Sequence, residues 1–250
     1  MEKNGSGANG VLSATALKFI AIIAMTLDHF GWLFVDMTST VGVCLHFVGR
    51  LTAPLMCFFI TEGYHHTRNF ERYCGRLALF AVISQAPFMF FYKTAFGVMN
   101  EGSMIATLLI CLIVVHIINT DNIEKAYKFP LILLLMFAAQ LCDWGANAIY
   151  FTLAFELSRN KGRKTQIVAF SAVVLVILLP SIIKIASSFA DNGYTIYRFG
   201  MFLPVPAILL YNGKRGGSST SVSRNVSKYF FYAYYPLHIL ILSLLLIKTR

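Results

Sequence analysis

The sequence contains few charged residues. Only 13% of its 250 residues are Asp, Glu, Lys or Arg, and 57% are hydrophobic. In a soluble globular domain about a quarter of the residues are charged, so this composition excludes an ordinary soluble protein. Several apolar runs reach the length of about 20 residues that a helix needs to cross a bilayer. The sequence therefore predicts an all-α, polytopic integral membrane protein with a single domain over residues 1–250.

Paired cysteines are also missing. The five cysteines are odd in number and show no C-x-x-C spacing, which argues against a disulfide framework or a zinc site. The net charge of +10 could indicate a nucleic-acid partner, but the basic residues are scattered over short connections and do not form one stripe. We therefore expect neither a metal nor a nucleic-acid ligand.

Nine apolar segments predict about nine transmembrane helices, with eight to ten as the range. A polar leader over residues 1–14 precedes them, and a Gly- and Ser-rich stretch at 212–228 predicts a flexible cytoplasmic linker. The fifth and sixth segments hold only about 12 to 15 residues, so they are tilted, re-entrant or halves of a broken hairpin. The nine segments are 15–36, 41–63, 75–97, 103–119, 128–142, 146–158, 165–187, 194–212 and 229–248.

Basic residues alternate between the connections. Lys and Arg occupy residues 68–76, 125–128, 159–164 and 214–228, whereas the intervening connections hold none. Short cytoplasmic loops are enriched in these residues. The pattern predicts a cytoplasmic N-terminus in the plasma membrane.

Ionisable residues occur inside the predicted spans, where each costs on the order of 3 kcal/mol at the bilayer centre and is a functional candidate. The first span holds Lys18, Asp28 and His29. Lys18 and His29 are eleven residues apart, which places them on nearly the same helix face and about 16 Å apart along the axis. Asp28 points about 100° away from His29 and can orient a different group.

Two further spans carry such residues. The second has His46 and Arg50 one helical turn apart, and the last has His238 shortly after Pro236. The stretch "TEGYHHTRNFERYCGR" collects polar and basic side chains suited to phosphate at a helix end; its candidates are Glu62, His66, Arg68, Arg72 and Arg76. Helix packing, charge balance and membrane topology are the alternative explanations for these residues.

Four blocks of the sequence resemble the TraX family, which is named for a conjugation protein that acetylates pilin N-termini. The blocks are "LKFIAIIAMTLDHFGW", "VGRLTAPLMCFFITEGYHHTRN", "RLALFAVISQAPF" and "YYPLHILIL", within roughly residues 17–92 and 232–242. The family in turn is similar to a wider group of transmembrane acyltransferases, in which a basic residue precedes a histidine by ten or eleven positions on an early helix. Lys18 and His29 match that spacing, with lysine where arginine is frequent.

The resemblance implies a bacterial membrane acetyltransferase that uses cytoplasmic acetyl-CoA. The acceptor would be an amine or hydroxyl of a peptide, a pilin-like protein or a small molecule. His29 would be the general base, oriented by Asp28, with Arg50, His46 and His238 completing the catalytic group. Lys18 and the basic stretch would hold the donor's phosphates. Direct transfer and an acetyl-histidine intermediate both remain open.

A small proton-coupled transporter or flippase is the rival interpretation, because buried Asp, His and Arg residues also build proton relays. The sequence shows no inverted repeat and no pair of broken helices, which disfavours this class. A third class, a non-catalytic membrane partner, leaves the buried charges unexplained.

Overall fold

The computed structural model describes residues 10–98, 101–216 and 221–249, with no side-chain description for 221–228. Within these residues the chain forms α-helices and two 3-10 helices and no β-strand, which confirms the all-α class. The α-helices are α1 (Ala14–Phe34), α2 (Thr40–Gly49), α3 (Thr52–His66), α4 (Phe70–Phe96), α5 (Met104–Asn119), α6 (Lys125–Ala139), α7 (Gly145–Leu157), α8 (Arg163–Ser187), α9 (Phe189–Asn192), α10 (Pro204–Leu209) and α11 (Ser221–Thr249). The 3-10 helices are Arg159–Lys161 and Gly193–Phe202.

In the part of the chain that the structure describes, five helical stretches are long and apolar enough to cross a membrane: α1, α2 continued by α3, α4, α8 and the part of α11 from Tyr229. The helix α5 is apolar but shorter. The fifth and sixth predicted spans correspond to α6 and α7, of 15 and 13 residues. The eighth corresponds to the second 3-10 helix and α10. The count of nine spans therefore stays a prediction, while the polytopic helical architecture is supported.

Large apolar side chains cover the outer surface of the bundle. Val82 on α4, Phe137 on α6 and Val168 on α8 expose two thirds or more of their surface. A soluble monomer rarely exposes a contiguous apolar surface on this scale. Lipid is the solvent that suits these faces.

The helix α5 lies at the centre of the bundle, in contact with α3, α4, α6 and α7. Its buried side chains include Ile105, Leu108, Cys111 and Val114, which lie on several faces of the helix. A helix that is apolar all round is one buried on every side. In contrast α6 has a single buried residue, Ala139, and is peripheral.

Contacts between connections define the two ends of the bundle. At the end where α1 begins, here called the basic end, the backbone of Leu12 pairs with Leu210 and Asn212, and Arg159 forms an ion pair with Glu62. At the other end, here called the opposite end, the backbone of Gly102 pairs with the α6–α7 connection. These contacts bring connections that are distant in the sequence together at each end of the bundle. Which end faces the cytoplasm stays a prediction.

Two boundaries differ from the sequence prediction. The second predicted span consists of two consecutive helices, because α2 ends at Gly49 and α3 begins at Thr52. Pro54 has no N–H to donate to the carbonyl of Arg50, so the helical bonding is interrupted there. The predicted linker 212–228 is shorter than expected, since α11 begins at Ser221; residues 217–220 and most of the 1–14 leader lie outside the described residues.

Candidate active site

Asp28 is held by two side chains of the next span. The Nδ1 of His46 lies 2.8 Å from Asp28 Oδ1, and Arg50 Nη2 donates to Oδ2 over 3.1 Å. The His46 side chain is completely buried. The i, i+4 spacing of His46 and Arg50 lets both groups reach one partner.

A glycine makes this approach of α1 and α2 feasible. A Cβ atom added to Gly49 would lie 2.3 Å from the Cβ of Asp28 and 2.5 Å from its Oδ1. Gly200 does the same for the second 3-10 helix, since a Cβ there would lie 1.9 Å from the carbonyl oxygen of Phe47. Any larger residue at either position would push the helices apart.

A second pair of side chains joins α1 to the last helix. His29 Nδ1 lies 2.8 Å from His238 Nε2, and His238 Nδ1 lies 2.9 Å from the carbonyl oxygen of Tyr234. A carbonyl only accepts, so His238 donates from Nδ1 and, as a neutral ring, accepts at Nε2 the proton of His29 Nδ1. His29 Nε2 is then left with a free lone pair, which is the state a general base requires.

A cavity of about 240 Å³ adjoins these groups, and we call it the polar cavity. Asp28, His29 and Arg50 line it, together with Asp143 from the α6–α7 connection. His46 and His238 are not among its lining residues; they lie behind Asp28 and His29 and orient them. Most of the remaining wall is aromatic: Trp32, Phe88, Phe91, Tyr92, Phe96, Trp144 and Tyr235.

A second cavity of about 170 Å³, the apolar cavity, extends toward the basic end. Its lining is mainly aliphatic and aromatic, but Lys18 and Arg215 reach it. The Lys18 Nζ lies 5.2 Å from the ring centre of Phe59 and 5.9 Å from that of Phe231. These are cation–π distances, which hold an ammonium group without an anion.

The two cavities share four lining residues, Met25, Thr52, Met104 and Tyr235, which we call the junction. The Tyr235 hydroxyl accepts a hydrogen bond of 3.1 Å from the backbone N–H of Met104 and keeps its own proton to donate. The helices α3 and α5 begin at Thr52 and Met104, so two helix N-termini converge here. Helix N-termini and a hydroxyl donor favour negative charge at the junction.

The predicted phosphate-binding residues other than Lys18 do not lie together at one cavity. Arg68 and Arg72 are exposed and line neither cavity. Arg76 packs 5.6 Å from the ring of Tyr73, a residue of the apolar cavity. Glu62 forms an ion pair with Arg159, and His66 Nδ1 hydrogen-bonds the carbonyl oxygen of Glu62. Within this group, only Arg76 is near the apolar cavity.

Sequence reasoning missed Asp143, Trp144 and Tyr235. The ring of Trp144 lies 4.9 Å from the guanidinium carbon of Arg50, which also lies 5.4 Å from the ring of Tyr197. Trp144 has a φ of 65°, a left-handed conformation uncommon outside glycine. An acid and a tryptophan in a short connection, "CDWG", were the available signal, but nothing in the sequence pairs them with Arg50.

Comparison with known proteins identifies the family. The family model described as TraX protein matches residues 13–246. The chain belongs to the TraX family. A relative, the probable fimbrial assembly protein FimC of serogroup H1 from Dichelobacter nodosus, is 38% identical over 239 residues, which cover 92% of this chain and 94% of the relative. No solved structure matches the chain. The TraX family match extends across the middle of the chain, where the sequence blocks gave no resemblance beyond hydropathy.

Proposed function

We propose that this TraX family protein is an acetyltransferase that moves an acetyl group from cytoplasmic acetyl-CoA to an acceptor entering from the opposite end. The observation that carries the proposal is the junction, where an apolar cavity with cations at its far end meets a cavity with a histidine base. An acyltransferase needs this order of groups: a site for phosphates, a channel for an arm, and a base at the thioester.

The apolar cavity suits the donor. It lies beside α1 from Thr15 to Met25, ten residues or about 15 Å of helix, which is comparable to an extended pantetheine arm. Lys18 and Arg215 would contact the nucleotide phosphates at the basic end, with Arg76 near Tyr73. The thioester would then lie at the junction.

The chemistry follows from the groups around the junction. The acceptor's nitrogen or oxygen attacks the thioester carbon while His29 Nε2 takes its proton. The hydroxyl of Tyr235 and the N-termini of α3 and α5 stabilise the oxyanion. When the intermediate collapses, the carbon–sulfur bond breaks and His29 returns the proton to the thiolate. An acetyl-histidine intermediate on His29 is the alternative sequence of steps.

The acceptor is proposed from the family. The resemblance to the TraX family implies that the acceptor is the N-terminus of a pilin, and the name of the relative describes a fimbrial assembly protein. A peptide amine of a fimbrial subunit is therefore our first acceptor, and a hydroxyl is the second.

The test uses the purified protein in detergent. We expect calorimetry to detect binding of acetyl-CoA and much weaker binding of S-acetylpantetheine, which has the arm but not the nucleotide phosphates. A thiol assay should show CoA release that depends on an added peptide. If the protein binds neither acetyl-CoA nor S-acetylpantetheine and shows proton-coupled transport in vesicles, it is a transporter instead.

A further inference from the structure

Asp143 is a second carboxylate in the polar cavity, placed there by a fixed connection. The N–H of Asp143 donates to the carbonyl of Gly102 over 2.8 Å, and Thr107 donates to the Asp143 carbonyl over 2.6 Å. The backbone N–H of Trp144 favours the charged form of the carboxylate and so lowers the pKa of Asp143. The backbone is therefore held from two sides where Asp143 lines the cavity, and the carboxylate is close enough to Arg50 and Asp28, which also line it, to interact with their charges.

The two carboxylates of the cavity differ in their partners. Asp28 is paired with both His46 and Arg50. Asp143 appears in none of the ion pairs formed by the described residues, although its charge interacts with that of Arg50. A carboxylate at a cavity wall without an ion-pair partner is available to a cationic ligand.

Resting on the proposed function, we propose that Asp143 binds the acceptor as a protonated primary amine and takes its first proton. Asp143 lies on the opposite-end side of the cavity, where such an acceptor would enter. Trp32 and Tyr92 line the same cavity, and an ammonium group is attracted to aromatic ring faces within about 6 Å. A neutral hydroxyl gains neither interaction.

The assignment balances the protons of the reaction. An ammonium acceptor must lose two protons to become an amide. Asp143 takes the first, which leaves a neutral amine whose nitrogen attacks the thioester. His29 takes the second and returns it to the departing thiolate, which becomes CoA thiol. Asp143 then releases its proton to the opposite end, so the cycle releases one proton for each amine and none for a hydroxyl.

The electrostatic surroundings suit a group that exchanges protons near neutral pH. Burial raises the pKa of Asp143 to about 7; attraction to Arg50 opposes the rise, and repulsion from Glu101 and Asp28 adds to it. Tyr92 and Tyr235 are the titratable groups that face it from α4 and α11. Since the charged form is needed, transfer should rise as the pH increases through about 7.

The experiment compares two probes and two variants. The probes are an apolar tetrapeptide amide with a free α-amine and the same compound with a hydroxyl in place of that amine. Asp143→Asn removes the charge, and Asp191→Asn is the matched control, because Asp191 is an exposed carboxylate at the same end outside the polar cavity. Acetyl-CoA affinity, acceptor KM and the pH profile are measured for each protein.

We expect the wild type to use the amine probe. The Asp191→Asn variant should keep most of that activity. Asp143→Asn should raise the amine's KM by about 10- to 100-fold, as loss of a charged hydrogen bond does, and flatten the profile near pH 7, with acetyl-CoA affinity unchanged. Equal KM values and profiles in the two variants would overturn the role of Asp143. Use of the hydroxyl probe as readily as the amine, or of neither while acetyl-CoA still binds, would also overturn it.

Stability gives an independent readout. The raised pKa means that the folded wild type binds a proton more tightly than the unfolded chain, so its stability falls as the pH rises from about 4 to 7. The Asp143→Asn variant does not undergo this pH-dependent loss of stability, so at pH 8 it should unfold at a higher temperature than the wild type. The difference between the two unfolding temperatures should shrink toward pH 4. An unchanged difference over that range would contradict a titrating Asp143. A wild-type protein that does not bind acetyl-CoA would instead refute the proposed function.

Discussion

The polar and apolar cavities share helices and the junction but differ in chemistry. Asp28, His29, Arg50 and Asp143 line the first, whereas Lys18 and Arg215 are the cations of the second. In the polar cavity the charge of Asp28 is paired, while Lys18 rests against aromatic rings. A paired charge is held in a fixed position, and a cation held by rings can move to a phosphate. In the proposed reaction, group transfer belongs to the polar cavity and donor binding to the apolar cavity.

The strongest test of this division is His29→Gln. The amide keeps much of the bulk and hydrogen bonding of the imidazole but cannot act as a base. General-base catalysis contributes about 10²- to 10⁴-fold, so transfer should fall by a factor in that range. Acetyl-CoA affinity, measured by calorimetry, should stay within the wild-type error. A glutamine variant that retains most of the transfer rate would leave His29 with a packing role.

A substitution at the junction tests the boundary between the cavities. Tyr235→Phe removes the hydroxyl next to Met104, and the loss of one oxyanion donor costs about 10²- to 10³-fold in kcat. Tyr234→Phe is the neighbouring control, because the Tyr234 hydroxyl bonds Thr26 and lines neither cavity. The single-turnover rate of CoA release measures the effect. Equal rates in the two variants would remove Tyr235 from the chemistry.

In the apolar cavity, Lys18→Met should act on donor binding alone. A charged hydrogen bond contributes about 1.5–3 kcal/mol, so acetyl-CoA affinity should fall by about 10- to 100-fold, with S-acetylpantetheine affected little. Arg72→Gln is the control, since Arg72 is exposed and lines neither cavity. If Arg72→Gln lowers affinity as much as Lys18→Met, the donor binds to the surface basic stretch and not in the apolar cavity.

The smallest effect is expected from Gly49→Ala, which disturbs only the polar cavity. The new methyl group would collide with Asp28, and overpacking typically costs about 1–3 kcal/mol. Gly75→Ala on α4 is the matched control, because no atom of the described residues lies within 4 Å of its added Cβ and alanine favours a helix. Thermal unfolding measures both variants. A Gly49→Ala protein as stable as Gly75→Ala would show that α1 and α2 adjust without cost.

The amino-acid sequence by itself determined that this protein has the composition of a membrane protein. It also determined where most of its helices lie along the chain. Low charge and long apolar runs require a membrane-type bundle, and apolar length predicts α1, α4 and α8 directly. The buried ionisable residues Asp28 and His29 were also evident, because a charge among apolar residues is costly enough to be conspicuous. Local spacing was sufficient to predict that His46 and Arg50 share one side of a helix.

Only the tertiary structure decided which of these residues meet. His29 and His238 are separated by 209 positions, and Asp28 is joined to His46 across a helix boundary. Periodicity describes one helix at a time and carries no information about the neighbour that a side chain faces. Asp143 shows this most clearly, since it lies in a short connection with no periodic pattern and reaches the cavity because Gly102 and Thr107 hold that connection in place.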